Sequence, residues 1–258
     1  MKILDELYAY REMIVSLVHR DLKGRYKNSV LGFAWTFVNP LLQLVVYTVV
    51  FSTIMKMGIK DYYLLLFVAL VPWIFFSNCV ASGCNCVFEQ GDMVRKIYFP
   101  REVLPVTYVT SQFINMLLSF IVVFVVLIIS GKGINPLAVL FLPFIMIVEY
   151  FLVLGMTLLF SAITVFVRDL SNILAIIVMA WQWATPVMYP ADIIPDNLKG
   201  IMAFNPMYAI IVAYRQILYY KEIPDINTLI SAIIMGAVLL VVGEFVFSRR
   251  SKNFADYL

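Results

Sequence analysis

The sequence predicts an all-α, polytopic membrane protein with six transmembrane helices. An amphipathic interfacial helix precedes the first, and a re-entrant helical segment lies between the fifth and the sixth. Three observations carry this prediction. Hydrophobic residues fill 63% of the 258 positions and charged ones 14%, with mean hydropathy +0.93, against about 45–50% and about 25% in a soluble domain. The apolar residues gather in runs almost free of acids and bases, each about the 20 residues needed to cross about 30 Å of hydrocarbon. The polar segments between the runs are too short for a folded soluble domain, so residues 1–258 read as a single transmembrane domain.

The elements follow in order. In residues 1–30, Ile3, Leu7, Ile14, Val18 and Leu22 recur at helical spacing among Lys2, Asp5, Glu6, Arg11, Glu12 and Asp21, the pattern of a helix lying in the membrane interface. The first span is 31–55. The second, 62–88, contains Pro72, a kink that a membrane helix tolerates. It also holds Cys79, Cys84 and Cys86, an odd set without a C-x-x-C pair, which argues against a disulfide framework or a zinc site. Residues 89–102 form a short charged segment in which Phe99 and Pro100 make an apolar knob. Spans three and four are 103–131 and 136–167, the latter punctuated by Pro136 and Pro143, and span five is 170–191. The longest polar connection is 192–225. Within it Met207 to Tyr220 is apolar and aromatic at helical spacing, yet at about 14 residues too short to cross, which suits a re-entrant gate. Span six is 226–247.

Six crossings put both termini on one side of the membrane. Thirteen lysines and arginines fall in the segments of that side, and six (Lys56, Lys60, Lys132, Lys199, Arg215 and Lys221) on the other. The positive-inside rule then makes both termini cytoplasmic in a multi-pass plasma-membrane protein. No secretory signal is expected ahead of the first span. The net charge of +3 is too mild to suggest nucleic acid as a partner.

Little catalytic chemistry is present. The lone histidine, His19, has no second histidine or carboxylate pair near it in sequence, and G-x-x-x-x-G-K-[ST] occurs nowhere. The chain therefore has no P-loop with which to bind ATP, and energy for transport must come from a partner or an ion gradient. Ion coupling needs ionisable groups within the membrane, and the spans offer two. Glu149 precedes Arg168 by a helical rise of roughly 28 Å, which puts it near the outer interface, and Glu244 reaches the headgroups or Arg249 and Arg250. Two such carboxylates make a poor proton relay. Aromatic residues are the richer signal: Trp181, Trp183, Tyr189, Phe204, Tyr208 and Tyr214 cluster around the end of span five and the segment after it. They read either as a lipid-facing belt or as rings facing a pore, where flat faces suit a passing sugar chain.

Several segments together resemble the permease subunits of ABC exporters for O-antigen, teichoic acid and capsular polysaccharide. The first is Arg20-Asp21-Leu22-Lys23-Gly24-Arg25-Tyr26-Lys27-Asn28-Ser29-Val30-Leu31-Gly32, followed by Trp35 and Asn39-Pro40-Leu41. Val94-Arg95-Lys96-Ile97-Tyr98-Phe99-Pro100-Arg101-Glu102-Val103-Leu104-Pro105 is similar to that family's coupling segment, and Phe166-Val167-Arg168-Asp169-Leu170 to its second cytoplasmic turn. Thr185 to Pro190 and Asn205-Pro206-Met207 resemble its external gate region.

The resemblance implies a channel made by two copies of this subunit and driven by two copies of a separate cytoplasmic ABC ATPase. No cofactor is then expected in this chain, ATP and magnesium being bound by the partner. Val94, Arg95, Lys96, Phe99, Pro100, Arg101, Arg168 and Asp169 would couple to the ATPase. Arg20, Lys23, Arg25 and Lys27 would meet the anionic headgroup of a lipid-linked polysaccharide among the membrane lipids. Trp181, Trp183, Tyr189, Phe204, Tyr208 and Tyr214 would serve channel or gate. The alternatives are a drug or small-lipid exporter permease and, from other classes, an ion-coupled secondary transporter or a membrane enzyme acting on lipid-linked sugars.

Overall fold

The structure, a computed structural model, describes every residue except 1, 25–28, 55, 57 and 203. Arg25 and Lys27 of the basic cluster thus lie outside the described residues. Among those described, the chain is helical throughout, without strands.

The amphipathic segment is two helices, α1 (Lys2–Ala9) and α2 (Arg11–Gly24), which meet at Tyr10. Leu17 and Val18 bury the inner face of α2. Next come α3 (Trp35–Thr48), extended by a π-helical turn at Val49–Ile54, and α4 (Tyr62–Ala81). Short turns lead to α5 (Gly91–Lys96), and then to α6 (Val103–Ile129). The fourth apolar run is divided. A four-residue helix, α7 (Pro136–Val139), opened by an Asn135 side-chain cap and a proline at its first position, precedes α8 (Leu142–Thr164). After α9 (Leu170–Ala184) the chain forms α10 (Asp196–Met202), α11 (Pro206–Arg215) with a π-helical turn at Gln216–Tyr220, α12 (Ile226–Arg250) and α13 (Phe254–Tyr257).

Among the described residues, five helical stretches are long and apolar enough to cross a membrane: Gly32–Ile54, Tyr62–Asn85, Val103–Ile129, Pro136–Thr164 and Ile226–Tyr257. The fifth expected span differs from the sequence reading. Its helix stops at Ala184 after 15 residues, a rise of roughly 22 Å. The cause is local: Pro186 disfavours helical backbone at the residue before it, and Thr185 is extended at φ −107° and ψ 137°.

Packing radiates from α4, which is 78% buried across its apolar window while the other four stretches are buried over 17–44% of theirs. It touches α3, α6, α8, α9 and α11. The most extensive helix pair is α8 with α12, and glycine permits it. A Cβ on Gly155 would come within 2.5 Å of the Leu239–Leu240 backbone, and one on Gly243 would overlap the Gly155 carbonyl. Close backbone approach through small residues is how helices associate in lipid, where apolar burial gives no advantage over acyl chains. Both termini lie at one end of the bundle: Arg20 on α2 donates to Gln90 at 3.1 Å beside α5, and the Leu258 side chain adjoins Gly91 at the start of α5.

Candidate functional site

Three regions carry polar chemistry: a groove along the bundle, a knot at the end remote from the termini, and the surface around α5.

The groove consists of two adjoining cavities of about 150 Å³ and about 250 Å³ that share Asn39, Ile74 and Asn78. One is set between α3, α4 and α6 and adds Trp35, Thr36, Gln112, Asn115 and Ser119. The other extends to α9 and adds Gln43, Tyr47, Trp73, Ser77 and Gln182. No carboxylate, amine, guanidinium or imidazole lines either. Gln43 donates to Asn39 at 3.2 Å, Gln112 to the Tyr108 hydroxyl at 3.2 Å, and Ser119 to the carbonyls of Asn115 at 2.9 Å and Thr36 at 3.3 Å. The Asn115 side-chain oxygen has no partner. Such a lining offers hydrogen bonds to neutral hydroxyl-bearing groups and no group of opposite charge to an ion. Sequence reading missed it because the amides are scattered over four helices. The faint signal was amides recurring inside apolar runs, at Asn39 with Gln43 and at Gln112 with Asn115.

The remote knot is built on Arg215, at the end of α11 and 2% exposed. Its guanidinium donates to the Val187 carbonyl at 2.8 Å, the Tyr189 carbonyl at 2.7 Å and the Leu65 carbonyl at 3.3 Å. The Tyr62 hydroxyl donates to the Met188 carbonyl at 2.6 Å. The non-helical backbone after α9 is therefore satisfied by protein groups, the condition under which irregular chain is tolerated at membrane depth. Asn205 closes the arrangement: its carbonyl oxygen caps Met207 N–H at 3.1 Å and accepts from Trp181 Nε1 at 3.0 Å, while its amide donates to Thr185 Oγ1 at 2.9 Å. Arg215 entered the sequence reading only as one of six charges of the outer side. An arginine inside the apolar stretch Met207 to Tyr220 was the available clue.

The expected gate aromatics divide between these surroundings. Trp181 is half-buried against Phe76, ring centres 5.2 Å apart, with its N–H on Asn205. Tyr189 donates to the Trp183 carbonyl at 3.0 Å, and Tyr208 is half-buried. Tyr214 is fully buried, stacked on Phe120 with ring centres 5.5 Å apart, and donates to Glu149 at 2.7 Å. Only Trp183 and Phe204, the latter 80% exposed, present broadly open rings.

Glu149, expected near the outer interface, is wholly buried on α8, with Tyr214 as its partner. Glu244 likewise is not joined to Arg249 or Arg250, which stack over Phe245 at 4.1 Å and Phe166 at 5.3 Å, and one of its oxygens has no partner.

At the termini end, α5 exposes Arg95 and Lys96 and buries Val94. Lys96 and Asp92 are 4.0 Å apart and open to solvent, a pair of little energetic weight. The apolar knob differs from expectation. Phe99 turns inward and is buried, Pro100 is half-buried, and Ile97 with Tyr98, 92% exposed, projects instead. Phe99 packs into the apolar core, and Arg101 fastens the turn by donating to the carbonyls of Phe99 at 2.9 Å and Ile97 at 3.2 Å while lying 5.0 Å over the Phe99 ring. Burial and the nearby Glu6 push the Glu102 carboxyl above its ordinary range. Arg168 stacks over Phe88 at 4.7 Å and Asp169 is exposed beside it. Of the basic cluster, Arg20 and Lys23 are exposed.

The family profile described as ABC-2 type transporter matches residues 12–219. An O-antigen export system permease protein of Myxococcus xanthus is 35% identical over 99% of each chain. A permease protein of the same description from Klebsiella pneumoniae is 28% identical over 96% of this chain and 95% of its own length. A polysialic acid transport protein of Escherichia coli is 19% identical over 93% of both. With five apolar helices long enough to cross a membrane among the described residues and likeness along nearly its whole length, the chain belongs to the ABC-2 type transporter family.

Proposed function

We propose that this chain is the channel-forming subunit of an ATP-driven exporter that moves a lipid-linked polysaccharide of the O-antigen, teichoic acid or capsule kind out of the cytoplasm. The uncharged amide and aromatic groove is the observation that carries this reading. Sugar hydroxyls exchange hydrogen bonds with Asn39, Gln43, Asn78, Gln112 and Asn115, the exposed ring of Trp35 offers a flat face, and no ionisable group is available for ion coupling along that path. The names of the relatives support the same cargo class.

Two copies complete the channel in this reading. The groove opens between α3 and α9, whose outer faces expose Leu42, Val45 and Val46, and Ile173, Ile176 and Ile177. In the same reading α9 with its extended tail makes the sixth crossing, and α11 is a re-entrant gate. Both termini lie in the cytoplasm of a bacterial cell bounded by this plasma (inner) membrane, in line with thirteen basic residues against six. Two ABC ATPase subunits bind ATP and magnesium and act on α5 through Arg95, Lys96 and the Ile97–Tyr98 knob. Arg20, Lys23, Arg25 and Lys27 attract the anionic lipid headgroup at about 1 kcal/mol each.

The test is to co-purify the chain with its ATPase, reconstitute the complex in lipid nanodiscs and measure ATP turnover with defined lipid-linked glycans. A glycan of the exported kind is expected to raise turnover, and Asn115→Leu to lower that response while leaving basal hydrolysis intact. Failure of any lipid-linked glycan to alter turnover refutes the reading.

A further inference from the structure

The coupling helix α5 is joined to the rest of the molecule by more than its own chain. Leu258 adjoins Gly91, the first residue of α5, so closely that a Cβ built there would lie 3.5 Å from the Leu258 Cβ. The tail that brings Leu258 there is α13, and aromatic contacts hold it. Phe254 is fully buried, 5.3 Å between ring centres from Phe247 on α12 and 6.0 Å from Phe166, just beyond the end of α8. Tyr257 sets its ring edge-on to Phe166 at 4.7 Å, and Arg250 covers the Phe166 ring from α12. Through the backbone alone, α5 leads only to α4 and α6. Through α13 it also reaches α8 and α12, the glycine-packed pair against which α11 rests.

We infer that the Phe254–Leu258 tail is a rigid strut that carries motion of α5 into the α8–α12 pair, and through it to α11 at the remote end. Phe166 and Tyr257 are its positioning residues. The inference rests on the reading above that a separate ATPase acts on α5. Aromatic pairs contribute about 0.5–1.5 kcal/mol each beyond the area they bury, and the linked set keeps α5, the turn at Phe166 and the foot of α12 as one body. A strut of this kind stays closed throughout the transport cycle.

Two measurements test it on the complex with the ATPase. Phe166→Ala and Tyr257→Ala are expected to assemble and hydrolyse ATP within twofold of the unmodified complex while export falls at least tenfold. Tyr257→Phe, which keeps the ring, is expected to export within twofold. Undiminished export in the alanine variants, or loss of ATPase assembly, overturns the inference, the latter because the tail would then be a docking surface. The second measurement uses the double variant Gly91→Cys with Leu258→Cys, whose Cβ separation falls within the disulfide range of about 3.5–4.5 Å. The bond is expected to form under mild oxidation and to leave export within twofold of the reduced protein. A cross-link that abolishes export until reduced shows a latch that must open, and a cross-link that never forms shows that the two residues do not meet; either result rejects the strut. If no ATPase associates with the unmodified chain, the functional reading fails instead, and the cross-link in the isolated chain still reports on the contact.

Discussion

Replacing Arg215 by methionine removes the guanidinium and keeps the length of the side chain. Three carbonyls, the buried ones of Leu65 and Val187 and the half-buried one of Tyr189, then lose their donor. Hydrogen bonds to a charged group are worth about 1.5–3 kcal/mol in soluble proteins, whereas side-chain bonds within membrane proteins average about 0.6 kcal/mol. The three together therefore span about 2 kcal/mol at the membrane scale to at least about 4.5 kcal/mol at the soluble one. Methionine regains part of this, because a buried guanidinium carries a desolvation penalty that an apolar group does not. The net expectation for Arg215→Met is a loss near about 2 kcal/mol, which at about 2–4 °C per kcal/mol lowers the melting temperature by about 4–8 °C. Arg215→Lys, a single point donor in place of a fork, is expected to fall between the two. Thermal unfolding of the detergent-purified protein measures both. A methionine variant melting within about 1 °C of the unmodified protein would show that the Thr185–Pro190 segment finds other donors and that the knot is not what holds it.

Three further outcomes follow from the packing and from the surface around α5. Gly155→Ala forces a methyl against the Leu239–Leu240 backbone and is expected to cost about 1–3 kcal/mol or more by overpacking. Gly200→Ala, with open space around it, is expected to be neutral or mildly stabilising; equal behaviour of the two in thermal unfolding removes the argument for a tight α8–α12 contact. Arg95→Glu is expected to lower glycan-stimulated ATP turnover without altering thermal stability, and Arg101→Glu to lower thermal stability as well, because only the latter holds backbone carbonyls; identical effects in both assays would erase that distinction. Burial and Glu6 raise the Glu102 carboxyl, so the folded state holds its proton longer than the unfolded one does. Its penalty is absent at low pH and grows as pH rises from the unfolded value through the folded one. Glu102→Gln is expected to raise the melting temperature at pH 8 and leave it unchanged near pH 4, and a variant less stable than the parent at pH 8 contradicts this.

The helices that cross alone were legible because hydropathy records them directly: the 103–131 run became α6 at Val103–Ile129 almost to the residue. Span five was not, because Thr185 to Tyr189 is as apolar as a helix needs to be, and what stops α9 is the steric demand of Pro186. The Phe99 knob failed for a similar reason. Composition marks an apolar residue but not which way an extended segment turns it, which depends on the core surface and the Arg101 contacts that meet it. Arg215 counts in the sequence only among the charges of the outer side, and Glu149 as a carboxylate near the outer interface, because sequence shows a side chain and not the carbonyl or hydroxyl that awaits it. The groove lay furthest from view, since its amides meet only once four helices are packed.

The break between α9 and α11 has an electrostatic consequence. The C-terminal end of α9 gathers partial negative charge and the N-terminal end of α11 partial positive charge, about half an elementary charge each. Asn205 holds the two ends together, with its amide on the Thr185 hydroxyl just past α9 and its oxygen on Met207 N–H in α11. Where half-helix ends stand alone in a membrane they attract ions or anionic groups. Here Asn205 bridges the opposing ends, so their partial charges offset one another and the full charge left in this corner is the buried Arg215 guanidinium on the Val187 and Tyr189 carbonyls. A fixed positive charge in that place repels a cation, so the break disfavours cation binding where isolated half-helix ends would not.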